Sequence, residues 1–424
     1  MFSPATGNRV LSFEDARHVV ERHATEVPER ETEVIDLLAA AGRVLAEPII
    51  ADRDFPPFPR ATRDGYAVRA ADVSQVPTQL SIIGEIKAGD TANFEVGEKQ
   101  VAAIMTGAPL PRGADAVVMI EYTSQSGNAL EVKRTVVAGE NFVPTGAEAR
   151  AGQLLVEKGA QLAAATVAIA ASVGKSRVKV FRRPRIAVLS TGDEVVAVDA
   201  SPGPTQIRNS NSYSLAAQIL QAGGEPVVLP VAPDEPKYLR TLIEKGFAAD
   251  LLLLTGGVSM GKYDLVEQVL TELNAQFYFT GAQIQPGRPV VFGACGCDVL
   301  VRDGQAGMAA PHKRYFFGLP GNPVSTMVTF ELFVRPMVEA LSGMTARPLV
   351  FLKARLKAEV RTKTGLKRFL PALLTGEFEN AEVELMRWQG SGDIAARARA
   401  NCYVVIPTDR ELIPAGEWIS VLAR

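Results

Sequence analysis

The chain has 424 residues, a hydrophobic fraction of 47% and a formal net charge of −2. This length predicts about two to three domains, and the near-neutral charge argues against nucleic acid or an anionic membrane as a partner. No apolar run approaches the roughly 20 residues of a membrane span, and no signal peptide is evident, so we expect a cytoplasmic protein. Three scattered cysteines predict neither a disulfide framework nor a metal site.

The N-terminal part of the chain has a helical pattern. Ser12, followed by acidic residues, resembles a helix start, and apolar residues at 19–20 and 34–38 predict two early helices. His18 and His23 are five residues apart on the first helix and therefore do not face each other. We expect both at the surface.

Two stretches of the chain are rich in short β-type runs. From Ile49 to Val143 such runs alternate with Gly, Pro and Asp, which is typical of a small all-β insert. Residues 154–173 return to a helical pattern that ends at Gly174. From Arg347 onward the short β-type runs come back and predict a terminal β-barrel or sandwich.

Between these two stretches, strand and helix patterns alternate from about Arg183. The predicted strands are RIAVLS, PVVLPV and DLLLLT, and the predicted helices are YSLAAQILQAGG, KYLRTLIEKGF and YDLVEQVLTEL. This alternation predicts right-handed βαβ units with a mostly parallel sheet. Such sheets bind ligands beyond the carboxyl ends of their strands, so we expect the chemistry in the loops there.

The loop TGGVSMGKYD, residues 255–264, follows the most apolar of these strands. Its three glycines allow successive N–H groups to converge on an anion. The loop nearly matches a Walker A motif, but Tyr263 replaces the magnesium-binding Ser or Thr. That mismatch argues against a P-loop NTPase and leaves Asp264 as the natural metal ligand. The alternative is a tight turn with Asp264 at a helix start.

Two further loops in this unit suit anions. After Leu189 come two hydroxyls and two carboxylates, an arrangement expected for hydrated Mg²⁺ bridging to phosphate oxygens, with a solvated acid pair as the alternative: Ser190, Thr191, Asp193, Glu194. The segment 318–325 predicts a helix start with Asn322 as the cap and Pro323 in the first turn, ahead of a long apolar helix from Val324 to Leu341. Its free N–H groups form another anion seat, although an ordinary capped helix has the same pattern.

Polar groups also occur in turn-rich segments elsewhere. Arg288 lies in the rigid turn 285–289, from which its guanidinium could bind an oxyanion through two hydrogen bonds. In the β insert, Asp64 precedes a glycine and Thr106 follows a predicted strand. By themselves, these last two residues predict only turns.

Taken in chain order, six segments closely resemble the molybdopterin molybdenumtransferase family of the MoeA type, which includes the gephyrin E domain and its plant counterpart. They are DGYAV (64–68), TGAPLP with GADAVV (106–118), PRIAVLSTGDEVV (184–196), TGGVSMGKYD (255–264), QPGRP (285–289) and GLPGNPVS (318–325). The resemblance covers nearly the whole chain.

The resemblance implies an α/β multidomain fold. Its parts are a helical/β base (1–48 and 145–182), a small β lid (49–144), a central βαβ unit like molybdopterin adenylyltransferases (183–345) and a C-terminal β-barrel (346–424). It also implies a homodimer, with the site between the α/β unit of one chain and the lid of the other. Molybdopterin adenylyltransferase and molybdoenzyme acceptors are further implied partners.

The implied reaction takes adenylylated molybdopterin and molybdate, with Mg²⁺, to molybdenum cofactor and AMP. By resemblance, the catalytic residues are Asp64, Thr106, Glu194, Asp234 and Asp264, of which Glu194 and Asp264 hold the metal. The substrate-binding residues are Thr191, Gly192, Asp193, Thr255, Gly256, Gly257, Ser259, Gly261, Pro320, Gly321, Asn322 and Pro323. The molybdate residues are Gln285, Arg288, Ser325, Arg368 and Ser391.

This chain departs from the family pattern at two places. Many members have lysines where this chain has Gln285 and Arg288, and Ser-Ala-Met before Asp-Gly-Tyr is replaced by Ala61-Thr62-Arg63. We expect Arg63 to face solvent. Two other functions stay open, a pterin or nucleotide adenylyltransferase or hydrolase on the same α/β unit and a gephyrin-like scaffold. Against the first, this chain lacks the signature that such enzymes have after TGG. Against the second, a scaffold would not need Glu194 and Asp264, which are both present.

Overall fold

The computed structural model describes residues 9–28, 30–91, 93–257, 265–296, 313–344 and 347–423. The predicted residues Ser259, Gly261 and Asp264 lie outside these ranges. No helix within the ranges is long and apolar enough to cross a membrane.

The N-terminal region begins with one helix, α1, whose cap is as predicted. The Ser12 Oγ accepts a hydrogen bond from the Asp15 N–H at 3.0 Å. The second predicted helix is wrong, because its residues alternate in exposure with a period of two and pair as a strand with residues 177–181. The elements are β1 (Val10–Leu11), α1 (Phe13–Thr25), β2 (Thr32–Asp36), a 3₁₀ turn (Leu37–Ala39) and β3 (Ile49–Ile50).

The predicted β insert is present as a six-stranded sheet in the order β8-β5-β7-β6-β10-β9. Alternate residues of the strand next to its edge, such as Tyr66 and Ala67, face two separate apolar clusters, so both sides of the sheet are buried there. The insert comprises β4 (Arg60–Ala61), β5 (Gly65–Val68), β6 (Thr78–Ile86), β7 (Gln100–Ile104), β8 (Ala116–Met119), β9 (Thr123–Ser126), β10 (Ala129–Val132) and β11 (Phe142–Val143). Of these, β4 and β11 pair with each other outside the six-stranded sheet.

After the insert, the chain returns to the base through β12 (Leu154–Val156), α2 (Ala164–Ser172) and β13 (Arg177–Phe181). The predicted helix over 154–173 is therefore too long, since its first part pairs with β3 as a strand. Its end is as predicted, because Gly174 takes the positive φ of 76° that commonly closes a helix.

The central region is the predicted, mostly parallel α/β unit. Its sheet runs β17-β14-β18-β23-β22-β19; the first four strands are parallel, and β22 pairs antiparallel with both β23 and β19. Helices cover both faces over two apolar clusters. The first half comprises β14 (Arg185–Ser190), β15 (Val195–Val196), β16 (Ile207–Arg208), α3 (Ser210–Gln221), β17 (Glu225–Val228), α4 (Pro236–Gly246), β18 (Leu251–Thr255) and α5 (Leu265–Glu272).

The second half of this region ends in the predicted long helix. It comprises β19 (Ala275–Phe279), β20 (Gly281–Ala282), β21 (Ile284–Gln285), β22 (Val291–Cys295), β23 (Arg314–Leu319), α6 (Pro323–Thr329) and α7 (Arg335–Leu341). The two helices are joined without a break by a π-helical segment, Phe330–Val334, whose five residues are all buried. The predicted helix is thus continuous but changes its winding in the middle.

The C-terminal region is the predicted β-barrel. Five strands close on themselves in the order β26-β27-β24-β30-β28, and β28 returns to β26. Strand β21 of the α/β unit adds to β26 and thereby joins the two regions. The elements are β24 (Phe351–Leu356), β25 (Val360–Arg361), β26 (Lys367–Thr375), β27 (Glu382–Leu385), α8 (Ile394–Arg399), β28 (Cys402–Ile406), β29 (Leu412–Ile413) and β30 (Trp418–Ala423).

One predicted surface histidine is buried. His18 is exposed, but His23 is only 5% exposed and stacks on the Tyr278 ring at a centroid distance of 4.0 Å. Burial lowers the pKa of His23, while the hydrogen bond from its Nδ1 side to Glu26 opposes that shift. The imidazole ring therefore helps to fix the end of α1 on the sheet.

We expect this histidine to make the protein less stable in mild acid. Because its folded-state pKa is depressed, the unfolded chain binds more protons, so stability falls as the pH drops below about 6.5 toward the folded value. Urea unfolding at pH 7.5 and 5.5 measures the effect. His23→Phe keeps the ring packing without titration, and its stability should change less between the two pH values; an equal change would contradict the assignment.

Candidate active site

A cavity of about 370 Å³ opens where the loops after β14, β18 and β23 meet the start of α3. The register explains this convergence, because Ser190 pairs with Thr255 and Thr255 pairs with Leu319, so three parallel strands end at one level. Of the sequence-predicted site residues, those bordering the cavity are Thr191, Glu194, Thr255, Gly256, Gly257, Pro320, Gly321, Asn322 and Pro323.

Glycine at the start of the TGG loop is a steric requirement. Gly256 has φ 86° and Gly257 has φ 61°, and a Cβ on Gly256 would overlap the backbone oxygen of Thr191. A Cβ on Gly257 would lie 2.8 Å from the Thr191 Oγ1. The absence of side chains thus lets the TGG loop pack directly against the loop after β14, which carries Thr191.

Gly256→Ala should destabilise the fold and distort the cavity. Positive φ alone costs a non-glycine residue about 1–3 kcal/mol, and here the overlap with Thr191 adds to it. Gly416→Ala is the matched control, since Gly416 has φ 83° and open space around its Cβ position. Urea unfolding of both variants isolates the overlap, and equal losses of stability would argue against close packing of the loops.

The cavity also includes polar residues that the sequence reasoning missed. Arg208, Asn209, Ser210 and Asn211 border it at the start of α3. The Asn211 Nδ2 donates to the Thr255 Oγ1 at 3.0 Å and to the Gly321 carbonyl at 2.7 Å. The available signal was the run RNSNS, in which Asn209 is a favoured N-cap residue.

Two buried oxygens at the cavity have no hydrogen-bond partner. They are the Thr191 Oγ1 and the Asn211 Oδ1. Because the Asn211 amide donates to a backbone carbonyl, which can only accept, its Oδ1 is fixed as the free acceptor. Buried polar atoms are nearly always paired, so these two indicate a site that a ligand or water completes.

The predicted acids Asp193, Glu194 and Asp234 lie close together but do not all reach the cavity. Glu194 borders it, whereas Gly192, Asp193 and Asp234 do not. The Asp193 Oδ1 accepts from the Asp234 N–H at 3.1 Å. Burial raises the pKa of Asp234, and the negative charges of Asp193 and Glu194 raise it further. In the described part of the chain, no three His, Cys, Asp or Glu side chains form a metal-holding group.

Of the five predicted molybdate residues, Gln285 and Arg368 bond to each other, Ser391 bonds to Asn322, and two occupy further positions. Pairing of β21 with β26 brings the Gln285 Oε1 within 2.7 Å of the Arg368 Nε. Arg368 is only 8% exposed, and burial lowers the pKa of its guanidinium. The Ser391 Oγ accepts from the Asn322 Nδ2 at 2.9 Å, so the predicted cap residue uses its side chain there.

Of the two further positions, Ser325 is buried and Arg288 is exposed. The turn that carries Arg288 packs tightly on α6, because a Cβ on Gly287 would overlap the Thr329 methyl group. The neighbouring Pro289 borders the cavity. The structure therefore brings the predicted molybdate segments next to the cavity wall, although their side chains do not line it.

In the β insert, Asp64 and Thr106 form a pair. The Asp64 Oδ1 accepts hydrogen bonds from the Thr106 N–H at 2.7 Å and from its Oγ1 at 2.9 Å, and these bonds lower the pKa of Asp64. The pair does not border the cavity of its own chain. Arg63 is exposed and donates only to the neighbouring Thr62 carbonyl at 3.0 Å.

Comparison with protein families gives one consistent result. Residues 11–174 match the MoeA N-terminal region (domain I and II), residues 187–340 match a probable molybdopterin binding domain, and residues 353–423 match the MoeA C-terminal region (domain IV). The molybdopterin molybdenumtransferase of Nostoc sp. is 36% identical over 93% of this chain and 89% of the relative. That of Bacillus subtilis is 32% identical over 92% and 90%.

Solved structures agree. A crystal structure of the molybdopterin biosynthesis moeA protein from Pyrococcus horikoshii OT3 has a TM-score of 0.75 at 28% identity, covering 98% of this chain and all of that one. Another structure of a moeA protein from this organism has a TM-score of 0.69 at 33% identity. Both similarities cover 98% of this chain.

Proposed function

Because the chain belongs to the molybdopterin molybdenumtransferase family, transferases of molybdenum cofactor biosynthesis, we propose that it converts adenylylated molybdopterin and molybdate into molybdenum cofactor and AMP. The observation that supports this reaction is the cavity itself. It lies at the carboxyl ends of three parallel strands and combines glycine-rich backbone, hydroxyls and, among the residues that the structure describes, one carboxylate. Such a site suits a phosphoanhydride attached to a polar ring.

In this proposal the three loops bind and orient the substrate. The backbone of Gly256 and Gly257 and the turn at Gly321 approach the phosphates closely because no side chain intervenes. Asn211 fixes two of these loops relative to each other through Thr255 and Gly321. A fixed set of donors needs little reorganisation when charge develops on the breaking anhydride.

Magnesium would be held by Glu194, with Asp264 as the second expected ligand. Mg²⁺ usually takes one or two protein carboxylates and completes its shell with water and substrate phosphates, which fits a cavity bordered by a single described carboxylate. The unpaired Thr191 Oγ1 is a further oxygen beside this position. Bound there, the ion would polarise the phosphoryl oxygens of the anhydride.

Molybdate, as a substrate, would bind next to the cavity, at Gln285, Arg288, Ser325, Arg368 and Ser391. Arg368 is buried and donates to neutral acceptors, the Gln285 Oε1 and the backbone carbonyls of Lys363 and Leu366. Its charge can therefore be compensated by an oxyanion. Homodimerisation would place the Asp64–Thr106 pair of one copy over the cavity of the other. We also propose the domain boundaries expected from the sequence, namely base 1–48 and 145–182, lid 49–144, α/β unit 183–345 and barrel 346–424.

Release of AMP tests the proposal. Pure protein incubated with adenylylated molybdopterin, Mg²⁺ and molybdate should release AMP, measured by chromatography, and release should depend on molybdate. Consumption of ATP with molybdopterin instead would indicate an adenylyltransferase. If the protein shows neither activity, the catalytic assignment is wrong and the scaffold alternative remains.

A further inference from the structure

Helix α3 carries two side-chain amides that bind the same later segment of the chain. Asn211 and Gln218 are separated by nearly two full turns, so they lie on one face of the helix. The Asn211 Nδ2 donates to the Gly321 carbonyl at 2.7 Å. The Gln218 Nε2 donates to the Met327 carbonyl at 3.1 Å and to the Glu331 Oε1 at 2.8 Å. The segment from Gly321 to Glu331 is therefore held against α3 at both ends.

The Gln218 amide has one orientation that suits its surroundings. Both of its partners can only accept, since one is a backbone carbonyl and the other is the carboxylate of Glu331, which is paired with Arg335. The nitrogen must therefore face them, and the Gln218 Oε1 is buried without a hydrogen-bond partner. What Gln218 contributes to the structure thus lies in its two donor bonds.

These two bonds lie where the long helix changes its winding. Met327 belongs to α6, whose last residue is Thr329, and Glu331 belongs to the π-helical segment Phe330–Val334 that follows. Where the winding changes, the regular ladder of backbone hydrogen bonds is interrupted, and side chains can bond to the carbonyls there. Because Gln218 bonds to both sides of the junction, it fixes the position of the junction relative to α3.

Thr326 connects this junction to the cavity. Its side chain is fully buried, and its Oγ1 donates to the carbonyls of Pro320 and Asn322. Pro320, Gly321 and Asn322 all border the cavity. Thr326 precedes Met327 on a helix of which five of seven residues are buried, and a closely packed helix moves as a unit. A shift of the helix at Met327 would therefore move the turn 320–322.

We propose that Gln218 is a positioning residue, which sets the turn 320–322 in the cavity by holding the junction between α6 and the π-helical segment. Gln218 itself does not border the cavity, so it acts on the reaction only through Met327 and Glu331. The inference rests on the proposed function, in which this turn orients the substrate. Small misplacements of orienting groups cost a large part of the rate, even when they arise far from the reacting atoms.

Gln218→Met tests the inference by kinetics. Methionine has a similar length and helix propensity but no N–H, and it also removes the unpaired Oε1, so the variant should fold. In molybdate-dependent AMP release, kcat should fall about tenfold while KM changes less than about twofold, because the substrate still binds but is less well aligned. A purely structural role would lower the urea midpoint of unfolding and leave kcat per folded molecule unchanged.

Gln221→Met is the matched control, because Gln221 is exposed about one turn further along the same helix. Its kcat should equal that of wild type. Gln218→Asn provides a second variant, since its amide is too short to reach both partners, and it should lose activity as Gln218→Met does. Wild-type kcat in both Gln218 variants would overturn the positioning role.

A double-mutant cycle with Asn211→Ala tests whether the two amides act on the same turn. Asn211→Ala already frees the Gly321 carbonyl from α3, so adding Gln218→Met should reduce kcat by a smaller factor than it does in wild type. A factor as large as in wild type would mean that Gln218 does not act through the turn, which would contradict the inference.

Hydrogen exchange separates this inference from the proposed function. The backbone amides of residues 321–327 should exchange several-fold faster in Gln218→Met than in Gln221→Met, whether or not the protein is active. If the wild type releases AMP but this exchange is unchanged, the reaction stands and the positioning role falls. If the wild type shows no turnover but the exchange difference is present, Gln218 holds the turn and the proposed reaction falls.

Discussion

Glu194→Gln is expected to fold normally and to lose molybdate-dependent AMP release by about 100-fold or more. Glu194 is the one carboxylate among the described residues that border the cavity, and an amide at this position cannot supply the negative charge that Mg²⁺ needs. A metal that polarises a phosphoryl oxygen contributes several kcal/mol to transition-state stabilisation, and each 1.36 kcal/mol is about tenfold in rate. The measurement is AMP release against Mg²⁺ concentration.

The control for this variant is Glu225→Gln, an exposed glutamate on the edge strand of the same sheet. It should turn over like wild type. Partial recovery of Glu194→Gln at high Mg²⁺ would support a metal ligand, whereas a rate deficit independent of Mg²⁺ would indicate a different role. Unchanged turnover would make Glu194 a solvated acid at a strand end.

The parts of the site that the sequence predicted are those that one local rule determines. Parallel strands place their carboxyl ends at one edge, so the loops at Thr191, Thr255 and Pro320 had to meet once the βαβ pattern was recognised. The glycines also carried their reason in the sequence, since only glycine tolerates the close approach seen at Gly256.

The parts that the sequence did not predict depend on contacts between distant segments. Gln285 and Arg368 are 83 positions apart and meet only because β21 joins the barrel strand β26; they were placed together by family resemblance alone. His23 looked like a surface residue because helical spacing says nothing about the Tyr278 ring, which packs on it from the sheet. Residues 32–36 became a strand because β13 pairs with them, overriding an ambiguous apolar pattern.

The largest effect on stability is expected at the ion pair inside the long helix. Glu331 is 4% exposed and lies in the π-helical segment; it accepts from the Arg335 Nε at 2.6 Å and Nη2 at 2.9 Å. Burial by itself would lower the pKa of Arg335, but Glu331 and, more weakly, Glu339 offset this and the pKa lies above its ordinary value. Removing the Glu331 charge would leave this buried cation compensated mainly by Glu339, whose Oε1 is 3.9 Å away.

Glu331→Gln should therefore destabilise the α/β unit by about 3 kcal/mol or more, measured by urea unfolding. Glu244→Gln is the matched control, because Glu244 pairs with Arg240 at the same i,i+4 spacing on the surface of α4, where such a pair contributes at most about 0.5 kcal/mol. Replacing Glu331 and Arg335 together by methionine should recover most of the lost stability, since two apolar side chains need no charge compensation. A double variant as unstable as Glu331→Gln would mean that the packing of the π-helical segment, and not the charge, stabilises this helix.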